Sequence, residues 1–152
     1  MKTADRKQAI MFVCLGNICR SPMAEGIARD MISKRYPDSG ITVSSAGIST
    51  FNGAPASQHS IDVCAENGID ISSHRSQRLN PEIIQNTDLF AVMTLSHMYC
   101  MLQWGIPADK IVVLGNISDP YGGDEDEYRA CRNQIYREVE SLLRKVAETD
   151  GK

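Results

Sequence analysis

The chain has 152 residues, 42% of them hydrophobic and 23% charged, with a formal net charge of −3. That length suits one domain with its own core, and the acidic balance argues against a broad nucleic-acid-binding face. No apolar run approaches the roughly 20 residues that span a bilayer, and the opening MKTADRKQAI lacks the apolar stretch of a signal peptide, so a cytoplasmic chain with no membrane contact is expected.

In chain order, residues 1–8 are polar and read as a flexible extension. The domain is expected over 9–150. Ala9 to Val13 is a short apolar run with Ile and Val, the pattern of a buried strand. Ser21 and Pro22 then suit an N-cap and first helical position. Met23, Ile27 and Met31 follow at helical spacing, with Ala24 and Ala28 beside them. Ile41 to Ser45 reads as a second strand, ending in Ala46-Gly47. Ser57 to Glu66 reads as a helix stopped by Asn67-Gly68. A short helix over Pro81–Gln85, a strand over Asp88–Met93, a helix from Ser96 to Trp104 and a strand from Lys110 to Leu114 follow. The last helix is expected from near Asp124 to about Ala147, with apolar positions Tyr128, Cys131, Ile135, Val139, Leu142 and Val146. Its opening acidic run, Asp124 to Glu127, suits the positive end of the helix dipole and calls for no metal. Strands alternating with helices imply a parallel sheet covered on both faces, with chemistry at the carboxyl ends of the strands.

The five cysteines, Cys14, Cys19, Cys64, Cys100 and Cys131, form no CxxC pair and no zinc or disulfide spacing. Reduced thiols are expected, with Cys64, Cys100 and Cys131 as small buried hydrophobes.

The segment CLGNICRS, Cys14 to Ser21, lies between the first strand and the first helix. Gly16, and next to it Asn17, tolerate backbone angles that let a loop turn its N–H groups toward one centre. The helix start adds its positive end, which makes an anion cradle. The GK[ST] ending of a nucleotide loop is absent, and Arg20 supplies a planar fork for two phosphoryl oxygens instead. The groups that attract phosphate also favour a thiolate at Cys14. Such a sulfur can attack phosphorus in line to give a cysteinyl-phosphate, with Ser21 donating to it. Expelling the alcohol needs an acid. In GNISDPYGGDEDEY, Asp119 is held extended by Pro120 and can lean over the cradle.

CLGNICRSP at 14–22, SSAG at 44–47 and DPYGG at 119–123 resemble the low-molecular-weight protein tyrosine phosphatase family in order and separation. The resemblance implies a single-domain α/β fold: a four-stranded parallel sheet flanked by helices, with the phosphate loop between the first strand and first helix. It also implies a monomeric, metal- and cofactor-free phosphatase acting on phosphotyrosine in proteins. It makes Cys14 the nucleophile, Arg20 the phosphate clamp and Asp119 the general acid. Leu15, Gly16, Asn17, Ile18, Cys19 and Ser21 complete the loop, and Asn17 and Ser21, with Ser45 and His74, form the polar network that holds it. From its residues alone, His74 reads as a solvated loop histidine. Cys19 matches the partner of a reversible disulfide with the nucleophile. Phe51 and Tyr121 match aromatic rim positions that would flank a phenol ring.

The GG at 122–123 and NGAP at 52–55 look more like the bacterial branch that includes protein-arginine phosphatases. Those carry a threonine where this chain has Ile18, which favours phosphotyrosine here. Arsenate reduction would want a further cysteine pair, and DVCAENGIDIS has a single cysteine. A binding module without turnover would lack the nucleophile or the acid, and both are present.

Overall fold

The computed structural model describes residues 8–150. Of the expected N-terminal extension, residues 1–7 lie outside the described residues. Gln8 belongs to the first strand.

The elements run β1 (Gln8–Cys14), α1 (Arg20–Arg35), β2 (Ile41–Gly47), α2 (Gln58–Ala65), α3 (Pro81–Gln85), β3 (Leu89–Val92), α4 (Leu95–Gln103), β4 (Ile111–Val113) and α5 (Glu125–Asp150). A 3-10 turn, Ala108–Lys110, precedes β4. The sheet order is β2-β1-β3-β4, and every pairing is parallel. The single-domain parallel architecture expected from alternating strands and helices is therefore the one observed.

Side chains along a strand alternate between faces, and β1 shows what that does. Ile10, Phe12 and Cys14 belong to the core formed with α1, α2 and α5. Met11 and Val13 belong to a second core with Phe90, Val92 and Met101, against α3 and α4. A strand buried on both faces must read as a continuous apolar run, and this one does. Phe12 is fully buried, so its truncation to alanine costs about 3–5 kcal/mol.

The apolar positions of the long helices behave as their spacing requires. Met23, Ala24, Ile27, Ala28 and Met31 of α1 are buried, as are Tyr128, Cys131, Ile135, Val139, Leu142 and Val146 of α5. The acidic run that opens α5 contains a capping box. Asp124 Oδ1 accepts from the Glu127 N–H at 2.9 Å, and Glu127 Oε1 accepts from the Asp124 N–H at 3.2 Å.

The start of α1 differs from expectation. The helix begins at Arg20 with Cys19 at the cap position, and no side chain caps it. Ser21 lies inside the first turn because its hydroxyl is committed to the preceding loop. Pro22 is still in the first turn, where a missing N–H costs nothing.

Candidate active site

β1 ends at Cys14, and residues 15–19 curl back before α1 begins. Cys14 pairs in register with Gly47 at the end of β2. Two further hydrogen bonds carry β2 alongside the loop: Ile48 N–H to the Cys14 carbonyl (3.0 Å) and Ser49 N–H to the Leu15 carbonyl (2.9 Å). The approach is close enough to require glycine. A Cβ on Gly47 would lie 2.8 Å from the Leu15 carbonyl oxygen and 3.2 Å from Asn17 Cβ. Arg20 opens α1, and the β4–α5 connection brings Ile117 and Asp119 to the same end of the sheet.

The loop's one positive φ, 57°, belongs to Asn17 and not to Gly16. Asparagine tolerates this region because its side chain can bond locally, and here the whole residue is consumed in holding the loop. Its N–H points to Cys14 Sγ at 3.3 Å. Its carbonyl accepts from His74 Nε2 at 2.8 Å. Its Oδ1 accepts from the Gln77 N–H at 2.8 Å. Its Nδ2 donates to Ser21 Oγ (2.8 Å) and Ser45 Oγ (3.0 Å).

That last pair fixes what each serine oxygen accepts. An amide nitrogen can only donate, so each serine oxygen accepts from Asn17 and has one hydrogen left to give. The Ser45 hydroxyl gives its hydrogen to Glu25 Oε1 at 2.5 Å. Ser21 Oγ lies 2.9 Å from Cys14 Sγ, where its remaining hydrogen can be given to a thiolate. The Asn17 N–H and the Ser21 hydroxyl thus both stand against the Cys14 sulfur.

Arg20 is buried. Its Nη1 donates to the Ile117 carbonyl at 2.9 Å, and its Nη2 lies 3.6 Å from Asp119 Oδ2. Its Nε is buried without a partner among the described residues. A buried N–H of that kind is rare in a folded protein, and it suits an incoming oxyanion. Asp119 is 44% exposed, and its Oδ1 accepts from the Tyr121 N–H at 3.0 Å. Beneath this pair His97, in the first turn of α4, is buried. Burial first, and the Arg20 charge second, push its pKa down to about 4 against a smaller opposing pull from Asp119.

A pocket of 210 Å³ opens over the loop. Cys14, Leu15, Gly16, Ile18 and Cys19 form its base, and Ser49, Asp119 and Tyr121 form its walls. Phe51 does not line it. Its backbone is tied down by Ser76, whose hydroxyl donates to the Phe51 carbonyl at 2.6 Å, while the ring is 90% exposed. Sequence reasoning did not single out Ser49, Glu25, Gln77 or His97. Glu25 carried a usable signal, since it lies one helical turn after Ser21. Gln77 acts largely through its backbone N–H, which leaves no residue signature.

The cysteines differ sharply. Cys19 is buried, with Sγ 3.3 Å from Tyr128 Oη and 3.5 Å from Ser57 Oγ. Burial raises its pKa, although both hydroxyls oppose the shift. Cys64 and Cys131 are buried and pushed up to about 12, chiefly by desolvation. Cys100 is only partly buried, because it faces outward on α4.

Residues 9–151 match the family model described as low molecular weight phosphotyrosine protein phosphatase. A probable low molecular weight protein-tyrosine-phosphatase, EpsP, of Ralstonia nicotianae is 34% identical over 91% of this chain and 96% of its own length. A protein-arginine-phosphatase of Geobacillus stearothermophilus is 37% identical over 91% and 93%. The crystal structure of a low molecular weight protein tyrosine phosphatase from T. tengcongensis superposes with a TM-score of 0.85 at 33% identity, covering 91% of this chain and 99% of that one. Among the described residues no helix is long and apolar enough to cross a membrane. With a family model spanning nearly every residue and relatives matched over almost their full lengths, the chain belongs to the low molecular weight phosphotyrosine protein phosphatase family.

Proposed function

We propose that this enzyme hydrolyses phosphotyrosine in proteins through a cysteinyl-phosphate on Cys14. The observation that carries the reading is the Ser21 hydroxyl, which accepts from the Asn17 amide and stands 2.9 Å from Cys14 Sγ, with its own hydrogen free to donate to a sulfur anion. A hydrogen bond to a sulfur anion favours the thiolate that attacks. It also eases the departure of sulfur when the intermediate is hydrolysed.

In the first step Cys14 Sγ attacks phosphorus in line. The loop N–H groups and Arg20 take the three equatorial oxygens, and the unpartnered Arg20 Nε supplies one donor for them. Asp119, at the pocket wall, protonates the departing phenol oxygen. In the second step the Asp119 carboxylate takes a proton from water, whose oxygen attacks phosphorus and releases Cys14. Ser45 and His74 act through Asn17 and hold the loop in shape. Cys19 is proposed as the redox partner of Cys14. Tyr121, on the wall, is proposed to flank the phenol ring, and Phe51 to fold inward over it from its exposed position.

Phosphoarginine is the second reading, favoured by the relative named a protein-arginine-phosphatase. Against it stands Ile18, an apolar side chain lining the pocket where a polar guanidinium would pass. Arsenate reduction is disfavoured by Cys64 and Cys131, which are buried and hold their protons too tightly for a thiol relay. The deciding experiment compares kcat/KM on matched phosphotyrosyl and phosphoarginyl peptides, for the wild type and Ile18→Thr. A preference for phosphotyrosine that narrows in Ile18→Thr is expected. A wild-type preference for phosphoarginine overturns the assignment.

A further inference from the structure

The acidic run at the start of α5 is not fully used by the helix. Asp124 and Glu127 form the capping box, and Asp126 pairs with Arg129 at 2.6 Å. Glu125 gives one oxygen, Oε1, to Arg129 at 3.1 Å. Its other oxygen, Oε2, faces His59 Nδ1 on α2 across 4.0 Å. That gap is too wide for a hydrogen bond. The His59 side chain is 45% exposed, but its Nδ1 is itself buried and has no hydrogen-bond partner among the described residues. Asp62 lies three residues beyond His59 on the same face of α2. One ligand atom from each of His59, Asp62 and Glu125 can be chosen so that all three lie within 4.8 Å of one another.

We propose that His59, Asp62 and Glu125 bind a divalent transition-metal ion of the zinc class, clamping α2 to the start of α5. One imidazole nitrogen and two carboxylates are a donor set that zinc and its neighbours accept. Bonds of about 2.0–2.2 Å need these atoms slightly closer than they stand. Both carboxylates end side chains that can rotate to make up the difference, since Glu125 is 46% exposed and Asp62 is engaged only by Gln58 at 2.8 Å. Water would fill the remaining positions. The Arg129 guanidinium on Glu125 lowers the affinity without blocking Oε2.

The site lies outside the catalytic pocket, so the inference does not depend on the proposed reaction. It is one ring away from the cradle. The His59 and Tyr128 rings sit 5.1 Å apart, and Tyr128 Oη reaches Cys19 Sγ. An ion here would stiffen the Cys19 side of the loop and the end of the connection that carries Asp119.

The test is titration of the chelator-stripped full chain with Co2+, read by visible absorption and thermal shift. One ion per chain is expected, with a raised Tm and no sulfur-to-cobalt charge-transfer band. His59→Ala and Asp62→Asn should each weaken Co2+ binding by about tenfold or more. Unchanged affinity in His59→Ala, or a strong sulfur-to-cobalt band, overturns the proposal. A readout that needs no variant is the His59 ring 15N signal of the wild type titrated with Zn2+. Its Nδ1 resonance should move stoichiometrically, and a stationary resonance also overturns the proposal.

Discussion

The two halves of the pocket are built by opposite rules. The cradle from Cys14 to Ser21 is held from below by a closed set of buried hydrogen bonds in which every polar atom of Asn17 has a partner. The Asp119 carboxylate is held by little: one Asx-type bond to the Tyr121 N–H and a 3.6 Å approach to Arg20, with Gly122 at a φ of 85° three residues on. The difference suits the two roles proposed for these halves. Stabilising charge on phosphorus requires donors fixed before the substrate arrives, whereas a group that gives and then retrieves a proton must reach two different oxygens.

The most severe break of this contrast is Cys14→Ser. A hydroxyl is not ionised near neutral pH, so turnover should fall by at least about 10⁴-fold. The cradle stays intact, and inorganic phosphate should still bind by calorimetry. Loss of phosphate binding together with activity would mean that sulfur itself organises the loop.

Asp119→Ala attacks the other half. Turnover of phenyl phosphates with poor leaving groups should drop by about 10²–10⁴-fold, and that of activated aryl phosphates far less. An equal drop on both kinds of substrate would remove Asp119 from the acid role. Because Asp119 is 44% exposed and carries few contacts, stability should barely change.

Asn17→Ala sharpens the comparison by damaging the rigid half without touching phosphorus. It strips partners from Ser21, Ser45 and the Gln77 N–H and leaves alanine at a positive φ. A loss of roughly 3 kcal/mol in denaturant unfolding is expected, with kcat reduced by about tenfold to a hundredfold through a misplaced cradle. Wild-type stability in this variant would show the network to be incidental.

The remaining effect appears only as pH falls. His97 has its folded pKa lowered from 6.5 to about 4, mainly by burial. The unfolded chain therefore binds its proton first as pH falls. The stability that comes from keeping His97 neutral is complete above pH 6.5 and is lost as pH falls toward 4. The loss is on the order of 3 kcal/mol. His97→Asn should flatten this part of the stability profile between pH 7 and 4.5, and an unaltered profile would place the acid sensitivity elsewhere.

What could be read from the sequence follows the same divide. Strand β1, the apolar stripes of α1 and α5, and the short helix Pro81–Gln85 stood out because burial periodicity and Pro or Gly punctuation are local signals. The cradle was legible because its donors are consecutive residues. Asn17 rather than Gly16 taking the strained angle was not, since the bonds that compensate it come from residues 45, 74 and 77. Ser21 reads from the sequence both as a cap and as a donor to the sulfur, and the choice was not legible because the Asn17 Nδ2 bond that holds its oxygen in the loop exists only in the folded structure. Phe51, 90% exposed, shows the limit for rims, where nothing buried dictates where a ring points.

The bare α-carbon at Gly47 has a consequence for how such a pocket can change. Because a single methyl there would collide with the Leu15 carbonyl, the second strand and the first loop share a clearance smaller than one carbon atom. A side chain added on one side of this seam therefore requires the backbone on the other side to move.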